Sequence, residues 1–315
     1  MKTIVKMRFG SHLYGTSSPA SDTDYKGVFM PALRDVLCGR IKKCVTENTK
    51  TDTSKKNSAE DVDTQIYSLH YFIELACQGE TVALDMLHAP DEMILETTPI
   101  WGQIRANRWR FYTRNLKSFV GYARTQAAKY GIKGSRLSDC KRALDYLREN
   151  ELGGDIMSDV WNYLPAGEHI SKNEALPVKL YTVCGRSIQS TCKISKGVEI
   201  LAKYHENYGA RAKLAEANEG IDWKAVSHAL RAAFQVKEIL TTGDLKFPLA
   251  QADYLKTVKA GTLSYKDDVG PRLEAEMDEL EVLTRESTMP EVVDREYWDS
   301  FVAGVMLAEI KEVKS

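Results

Sequence analysis

The fold of the N-terminal region depends on residues Phe9–Met30, whose sequence is FGSHLYGTSSPASDTDYKGVFM. The segment before it, Thr3–Phe9, alternates loosely between apolar and polar side chains and ends at a glycine, which predicts a strand. Ser11–Thr16 predicts one or two helical turns, and a polar loop follows. Asp24–Met30 is rich in strand-forming residues and stops at Pro31, so it predicts the next strand.

Gly10 and Ser11 lie at the predicted turn between the first strand and the short helix. A glycine at a strand end permits a tight turn and lets a ligand approach the main chain. A helix that begins at Ser11 would direct free N–H groups at an anion, and the serine hydroxyl adds another donor. The pair therefore predicts a seat for the outer phosphates of a nucleoside triphosphate, although a Gly-Ser pair taken alone is usually only a turn.

Asp22 and Asp24 are separated by one residue at the start of the second predicted strand. Residues two apart in a strand point to the same side, and two carboxylates held together repel unless a cation lies between them. Mg²⁺ prefers oxygen ligands and usually also contacts substrate phosphates. The spacing predicts a metal site that faces the triphosphate, whereas an isolated Asp-x-Asp is more often an exposed strand end.

The order strand, Gly-Ser, short helix, loop, Asp-x-Asp and strand resembles the signature of the DNA polymerase beta-type nucleotidyltransferase superfamily. The resemblance implies nucleotidyl transfer with two divalent metal ions, Mg²⁺ or Mn²⁺, and a nucleoside triphosphate such as ATP as substrate. It also implies a third carboxylate on a later, neighbouring strand. Asp61–Tyr67 predicts that strand, and Asp63 is our choice for the third catalytic and metal-binding residue after Asp22 and Asp24. Asp61 is the alternative, and both could instead be a solvated strand start.

A second stretch, Tyr208–Leu249, resembles the helical portion of a group of predicted nucleotidyltransferases from bacteria and phages. The matching residues are Tyr208, Gly209, Arg211, Ala212, Asp222, Trp223, Lys224, Ser227, His228, Arg231, Gly243, Phe247 and Pro248.

Lys224, His228 and Arg231 share one face of a predicted helix because of their spacing. Facing the catalytic cleft, they would neutralise triphosphate charge or hold the acceptor, and His228 could shuttle a proton. The alternative is a buried histidine flanked by salt bridges. Arg211, also a predicted nucleotide ligand, has the same two interpretations, and Trp223 is more often a core residue than a platform for a base.

The chain as a whole has a formal net charge of -1, with 43% hydrophobic and 28% charged residues, as in ordinary globular proteins. One stretch departs from this balance: Arg105–Arg142 holds eleven basic residues and a single acid, Asp139. Such asymmetry is compatible with a surface that binds a polyanion such as RNA or tRNA, and equally with a helix pair that has a solvated basic side.

Cysteine usage and hydropathy limit the other classes. The six cysteines include no Cys-x-x-Cys pair and no zinc-ligand spacing, which makes a structural zinc site an unfavourable interpretation. No run approaches the ~18 apolar residues of a membrane span, and the N-terminus lacks the pattern of a signal peptide. We therefore expect a cytoplasmic protein with free thiols and no membrane partner. Its oligomeric state stays open.

The expected fold class is α+β: a small nucleotidyltransferase head with a mixed β-sheet and flanking helices, followed by a mostly α-helical domain. From about Ile100 the pattern is helical almost throughout, and Ala175–Val183 could be a strand or a hairpin arm. We place the catalytic domain at residues 1–100 and a helical substrate- and nucleotide-binding domain at residues 101–315.

The expected activity is transfer of a nucleoside monophosphate from the triphosphate to an acceptor hydroxyl, with release of pyrophosphate. An RNA or tRNA end is the first candidate acceptor. The alternatives are nucleotidylation (AMPylation) of a protein or small molecule, and a non-catalytic nucleotide-binding module. Phosphate-binding P-loop, nucleophile-elbow and His-Glu-x-x-His motifs are not found in the sequence.

Overall fold

A five-stranded mixed sheet lies at the centre of the N-terminal region in a computed structural model, which describes residues 2–49, 60–114, 134–151, 155–175, 177–216 and 218–314. Its strands are β1 Lys2–Phe9, β2 Thr23–Met30, β3 Cys44–Asn48, β4 Val62–Ser68 and β5 Ile94–Thr97. Their order is β3-β4-β2-β1-β5. β2 and β4 pair in parallel and the other neighbours are antiparallel, which confirms the predicted mixed sheet.

Five helices accompany this sheet: α1 Ser11–Tyr14, α2 Leu33–Leu37, α3 Leu69–Cys77, α4 Thr81–Leu87 and α5 Pro99–Ala106. α3 begins at Ser68, whose hydroxyl accepts a hydrogen bond from the Tyr71 N–H at 3.4 Å. Leu69, Phe72 and Ile73 are buried at helical spacing, so α3 covers the sheet with one apolar face.

The later part of the chain is mainly helical, as expected. Its helices are α6 Gly134–Glu149, α7 Ile194–Glu216, α8 Trp223–Thr242, α9 Ala252–Ala260, α10 Gly270–Glu286 and α11 Arg295–Lys314. It also contains a small antiparallel sheet of β6 Ile170–Asn173, β7 Leu180–Val183 and β8 Arg186–Gln189. The strand predicted at Ala175–Val183 is therefore only four residues long and belongs to a hairpin with β8.

The chain forms two compact units, and their boundaries differ from the single boundary that we predicted near residue 100. Unit 1 consists of residues 1–124, 223–262 and 273–315, and unit 2 of residues 125–222 and 263–272. The reason is visible in unit 1, where helices from late in the chain pack on the head: Gln235 Nε2 in α8 donates to Asp85 Oδ1 in α4 at 2.6 Å. The functions that we assigned to the two predicted domains stay predictions.

Unit 2 has its own apolar core between its helices and the small sheet. Leu147, Trp161, Tyr181 and Leu201 are among its buried side chains. Across the described parts of both units, no helix combines the length and the apolar character that crossing a membrane requires.

Candidate metal and nucleotide site

Gly10 joins β1 to α1 in a conformation and an environment that both require glycine. Its φ is +63°, in the left-handed region that side-chain-bearing residues rarely adopt. A Cβ added at this position would lie 2.0 Å from Asp24 Oδ2. This close approach follows from the register of the sheet, in which Phe9 pairs with Asp24. The turn predicted from the sequence therefore brings the main chain of Gly10 directly against the carboxylate of Asp24.

Three carboxylates come together beside this turn. Asp24 pairs with Asp63 across the parallel strands β2 and β4, and Asp22 immediately precedes β2. One carboxylate oxygen from each of Asp22, Asp24 and Asp63 lies within 4.8 Å of the other two. Asp61, the alternative third carboxylate, is outside this group, and its backbone oxygen accepts from the Thr23 N–H at 3.1 Å. The parallel register thus favours Asp63 over Asp61.

The electrostatics of the cluster are those of a site with excess negative charge. The pKa of Asp24 is raised, first by burial and then by the charge of Asp22, with a further contribution from Asp63. Lys26, on the same face of β2, opposes this shift, and burial lowers its own pKa. Three clustered carboxylate oxygens form the donor set that a hard divalent cation such as Mg²⁺ or Mn²⁺ prefers. The residues present therefore fit the predicted metal.

Ser11 lies at the first position of α1 and lines a cavity together with the three aspartates. Its hydroxyl oxygen is buried and has no hydrogen-bond partner among the described residues. The first N–H groups of a helix have no partner inside the helix, so the turn offers several donors in one place. An unsatisfied buried hydroxyl carries a cost that a bound phosphate oxygen would remove.

Helix α8 also lines this cavity, whose volume is about 370 Å³. The sequence-predicted residues Lys224, His228 and Arg231 all contribute to the lining. Arg231 lies with its guanidinium carbon 3.8 Å from the centre of the Tyr14 ring, and its buried Nε has no hydrogen-bond partner in the described part of the chain. The structure thus brings the three α8 residues together with Gly10, Ser11 and the carboxylates, all within unit 1.

Two further residues singled out in the sequence are not part of this arrangement. Arg211 falls in α7, where the side chains of residues 208–216 lie outside those described. Trp223 packs at the start of α8: a Cβ added at Gly261 would lie 2.7 Å from its indole ring. Trp223 is half-buried, and this contact indicates that it packs against the end of α9.

Sequence analysis missed several residues that line the cavity. These are Tyr14, Thr16, Lys26, Leu255 and Lys259. Lys26 could have been found, because it continues the alternation of Asp22 and Asp24 on one strand face. Lys259 and Leu255 lie in α9, and no local pattern links that helix to the N-terminal turn.

The first arginines of the basic stretch take part in ion pairs. The described arginines at its beginning each pair with an acid from another segment of unit 1: Arg105 with Asp91, Arg108 with Asp244, Arg110 with Asp294 and Arg114 with Glu291. Residues 115–133, which carry much of the remaining charge, lie outside the described residues. The four described arginines therefore connect separate segments of unit 1 through ion pairs and do not form an unpaired charged surface.

Comparisons with known proteins show what this chain is similar to. A family model described as "RNA repair pathway DNA polymerase beta family" matches residues 1–152. The 38.9 kDa protein of the nrdC–mobD intergenic region of Enterobacteria phage T4 is 42% identical over 98% of this chain and 98% of its own length. A nucleotidyltransferase-like protein from Exiguobacterium sibiricum 255-15 aligns with 90% of this chain and 69% of that chain, at 10% identity and a TM-score of 0.26, which is too low to support an argument.

The matched segment holds the Gly-Ser turn and the three clustered aspartates, and the similarity to the phage protein extends through both units. By sequence, this chain belongs to the DNA polymerase beta-type nucleotidyltransferases.

Proposed function

We propose that this protein is a Mg²⁺-dependent enzyme that transfers a nucleoside monophosphate from a nucleoside triphosphate to an acceptor hydroxyl. The observation that carries the proposal is the meeting of Asp22, Asp24 and Asp63 within 4.8 Å, in a cavity also lined by Ser11 and Arg231. A cavity lined by both carboxylates and cations would suit a metal–triphosphate complex, because the carboxylates would hold the metal and the cations would bind the phosphates.

The three aspartates would hold the divalent cations, Mg²⁺ or Mn²⁺. Bound there, the cations would neutralise the carboxylates, offset the charge of the phosphates and lower the pKa of the acceptor hydroxyl. The fit is chemical: the cluster has oxygen donors, excess negative charge and a half-buried position.

The chain's own residues would bind and orient the substrate. Ser11 and the first N–H groups of α1 would receive the outer phosphates, while Lys224 and Arg231 would offset their charge from the α8 side. The acceptor oxygen then forms a bond to the α-phosphorus as the bond to pyrophosphate breaks, and the hydroxyl proton is released. Most of the acceleration would come from positioning and charge stabilisation.

An RNA end is the acceptor that we propose. The support is the description of the matching family, which names an RNA repair pathway. The four described arginines at the start of the basic stretch add little to this proposal, because each is paired with an acid within unit 1. We expect the RNA end to be held beside the catalytic cavity, where the transfer would take place.

The proposal is tested with triphosphates labelled at the α-phosphate, offered one at a time with Mg²⁺ or Mn²⁺ and with RNA, protein or metabolite fractions. We expect label to appear in RNA and pyrophosphate to be released. Label in protein or metabolites would contradict the RNA acceptor but keep the activity. Triphosphate uptake without pyrophosphate release would show a binding module instead of an enzyme.

A matched pair of substitutions tests the third carboxylate. Asp63→Asn removes a charged ligand from the cluster, so we expect transfer to fall at least ~100-fold, the scale of losing a group that stabilises developing charge. Asp61→Asn makes the same change next to the same strand but outside the cluster, and we expect near-normal transfer. The reverse result would assign the role to Asp61.

A further inference from the structure

A second layer of polar residues lies behind the cavity, centred on Asp85 of α4. Asp85 is fully buried. Tyr14 Oη of α1 donates to Asp85 Oδ2 at 2.8 Å, and Gln235 Nε2 of α8 donates to Asp85 Oδ1 at 2.6 Å. Burial raises the pKa of Tyr14 well above its usual range, so its hydroxyl keeps the proton that it donates. One carboxylate therefore joins the helix that carries Ser11 to the helix that carries Arg231.

Tyr14 links this carboxylate to the cavity. One face of its ring supports the guanidinium of Arg231 at 3.8 Å, while its hydroxyl donates to Asp85. A phenol that donates to a carboxylate has a more electron-rich ring, which strengthens its attraction for a cation. The Arg231 Nε has no partner among the described residues. The Tyr14 ring therefore positions the arginine while the side chain still has a hydrogen-bond donor available.

Keeping a carboxylate in this position is costly. Burial raises the pKa of Asp85 from 3.8 to about 6, against the opposing effects of Arg231, Tyr14 and Gln235. A folded-state pKa above the unfolded value means that the protonated form favours folding at low pH and that this contribution is lost as pH rises through about 6. At neutral pH the charge on Asp85 therefore works against stability, which is typical of groups retained at functional sites.

We propose that Asp85 is a positioning residue for triphosphate binding, which acts through Tyr14 and Gln235 to fix Arg231 and the Ser11 turn in one arrangement. The inference rests on the proposed function, because it assigns Arg231 and Ser11 to the phosphates. The ionised carboxylate is the active form, because its charge attracts Arg231 and makes both of its oxygens stronger acceptors than those of the protonated acid. Tyr14 of α1 and Arg231 of α8 are the titratable or charged groups that act on it.

Asp85→Asn tests this directly, because the side chain keeps its shape and loses its charge. Binding of Mg²⁺ with ATP, GTP, CTP, UTP or inorganic tripolyphosphate is measured at pH 8 and pH 5, together with the melting temperature. At pH 8 we expect roughly tenfold weaker binding, as is usual when a group that orients a ligand-binding side chain is lost. The melting temperature should stay the same or rise. At pH 5 the wild-type carboxyl is largely protonated, so the two proteins should converge.

Two other variants keep the test decisive. Tyr14→Phe keeps the ring beneath Arg231 and removes the bond to Asp85, so binding should weaken at pH 8 even if Asp85→Asn fails to fold. Glu276→Gln is the matched control. Glu276 is a buried carboxylate of α10 that pairs with Lys237 of α8, the helix that also carries Arg231. We expect it to bind triphosphate like the wild type.

The outcomes separate this inference from the proposed function. Wild-type protein that binds neither any triphosphate nor tripolyphosphate would overturn the proposed function and the inference with it. Wild-type binding that is matched by Asp85→Asn and Tyr14→Phe at pH 8 would overturn the inference alone. An equal loss at pH 5 and pH 8 would also overturn it, because a charge-independent defect is a packing defect.

Discussion

Gly10 and Gly39 have the same φ but different surroundings. Both have a φ of +63°, whereas a Cβ would meet Asp24 at Gly10 and nothing within 4 Å at Gly39. Gly10→Ala should therefore displace the Asp24 carboxylate and reduce transfer about 100-fold, the usual consequence of a misplacement of ~1 Å at a reacting centre. Gly39→Ala should cost only ~1–2 kcal/mol of stability, from backbone strain.

The pair is compared by initial rates of pyrophosphate release and by denaturant unfolding. Wild-type activity in both alanine variants would show that the close approach of Gly10 to Asp24 does not matter for catalysis. Equal losses of activity would attribute the effect to backbone strain and not to the carboxylate.

Individual site residues could be predicted to different degrees. Asp22, Asp24, Gly10 and Ser11 were accessible because their local order defines both a strand face and a turn. The choice between Asp63 and Asp61 needed the register of β2 on β4, which no spacing fixes. Asp85 was not predictable: it lies in an apolar helix, and its partners Tyr14 and Gln235 are 71 and 150 positions away.

Helix α8 carries one wall of the site, and its position depends on how it packs against α9. Gly261 ends α9 with a φ of +69°, and a Cβ there would lie 2.7 Å from the Trp223 indole at the start of α8. Gly243 ends α8 with a φ of +71° and has nothing within 4 Å. Because both alanine variants share the backbone strain, Gly261→Ala should be less stable than Gly243→Ala by about 2 kcal/mol, the cost of overpacking.

Denaturant unfolding of both variants measures this difference. A matching loss of triphosphate affinity in Gly261→Ala alone would show that the α8–α9 contact sets the position of the cavity wall. Indistinguishable stabilities would mean that the indole moves aside at no cost, and that Trp223 is not a fixed packing element.

The elements themselves were predicted best where a periodic pattern and a stop signal coincide. Helix α8 is such a case: its sequence is amphipathic from Trp223 to Thr242 and is followed by Gly243, and these are its bounds in the structure. β5 was missed, because four residues with mostly exposed side chains show no periodicity. β3 lies in a stretch rich in Lys, Thr and Ser that shows no clear strand pattern, and its pairing with β4 depends on the rest of the sheet.

Unit 1 is built from segments that are far apart in the sequence. A single boundary near residue 100 was predicted because the sequence changes there from strands to helices. In the structure, residues 223–262 and 273–315 instead belong to the same compact unit as the head. Side chains from α8 and α9 complete the cavity. A change in pattern marks where elements change type, but the burial of their apolar faces decides which of them pack together.

This discontinuous construction makes a testable prediction for hydrogen exchange. Mg²⁺ with a bound triphosphate should slow exchange in α1, at the start of β2 and in the first turns of α8 at the same time, because all three line one cavity. β5 serves as an internal reference, since its residues are not among those lining the cavity. Asp24→Asn should abolish the protection, because it weakens the metal site. Protection confined to α1 and β2 would show that Lys224, His228 and Arg231 do not contact the nucleotide, and would reduce α8 to a structural support for Tyr14.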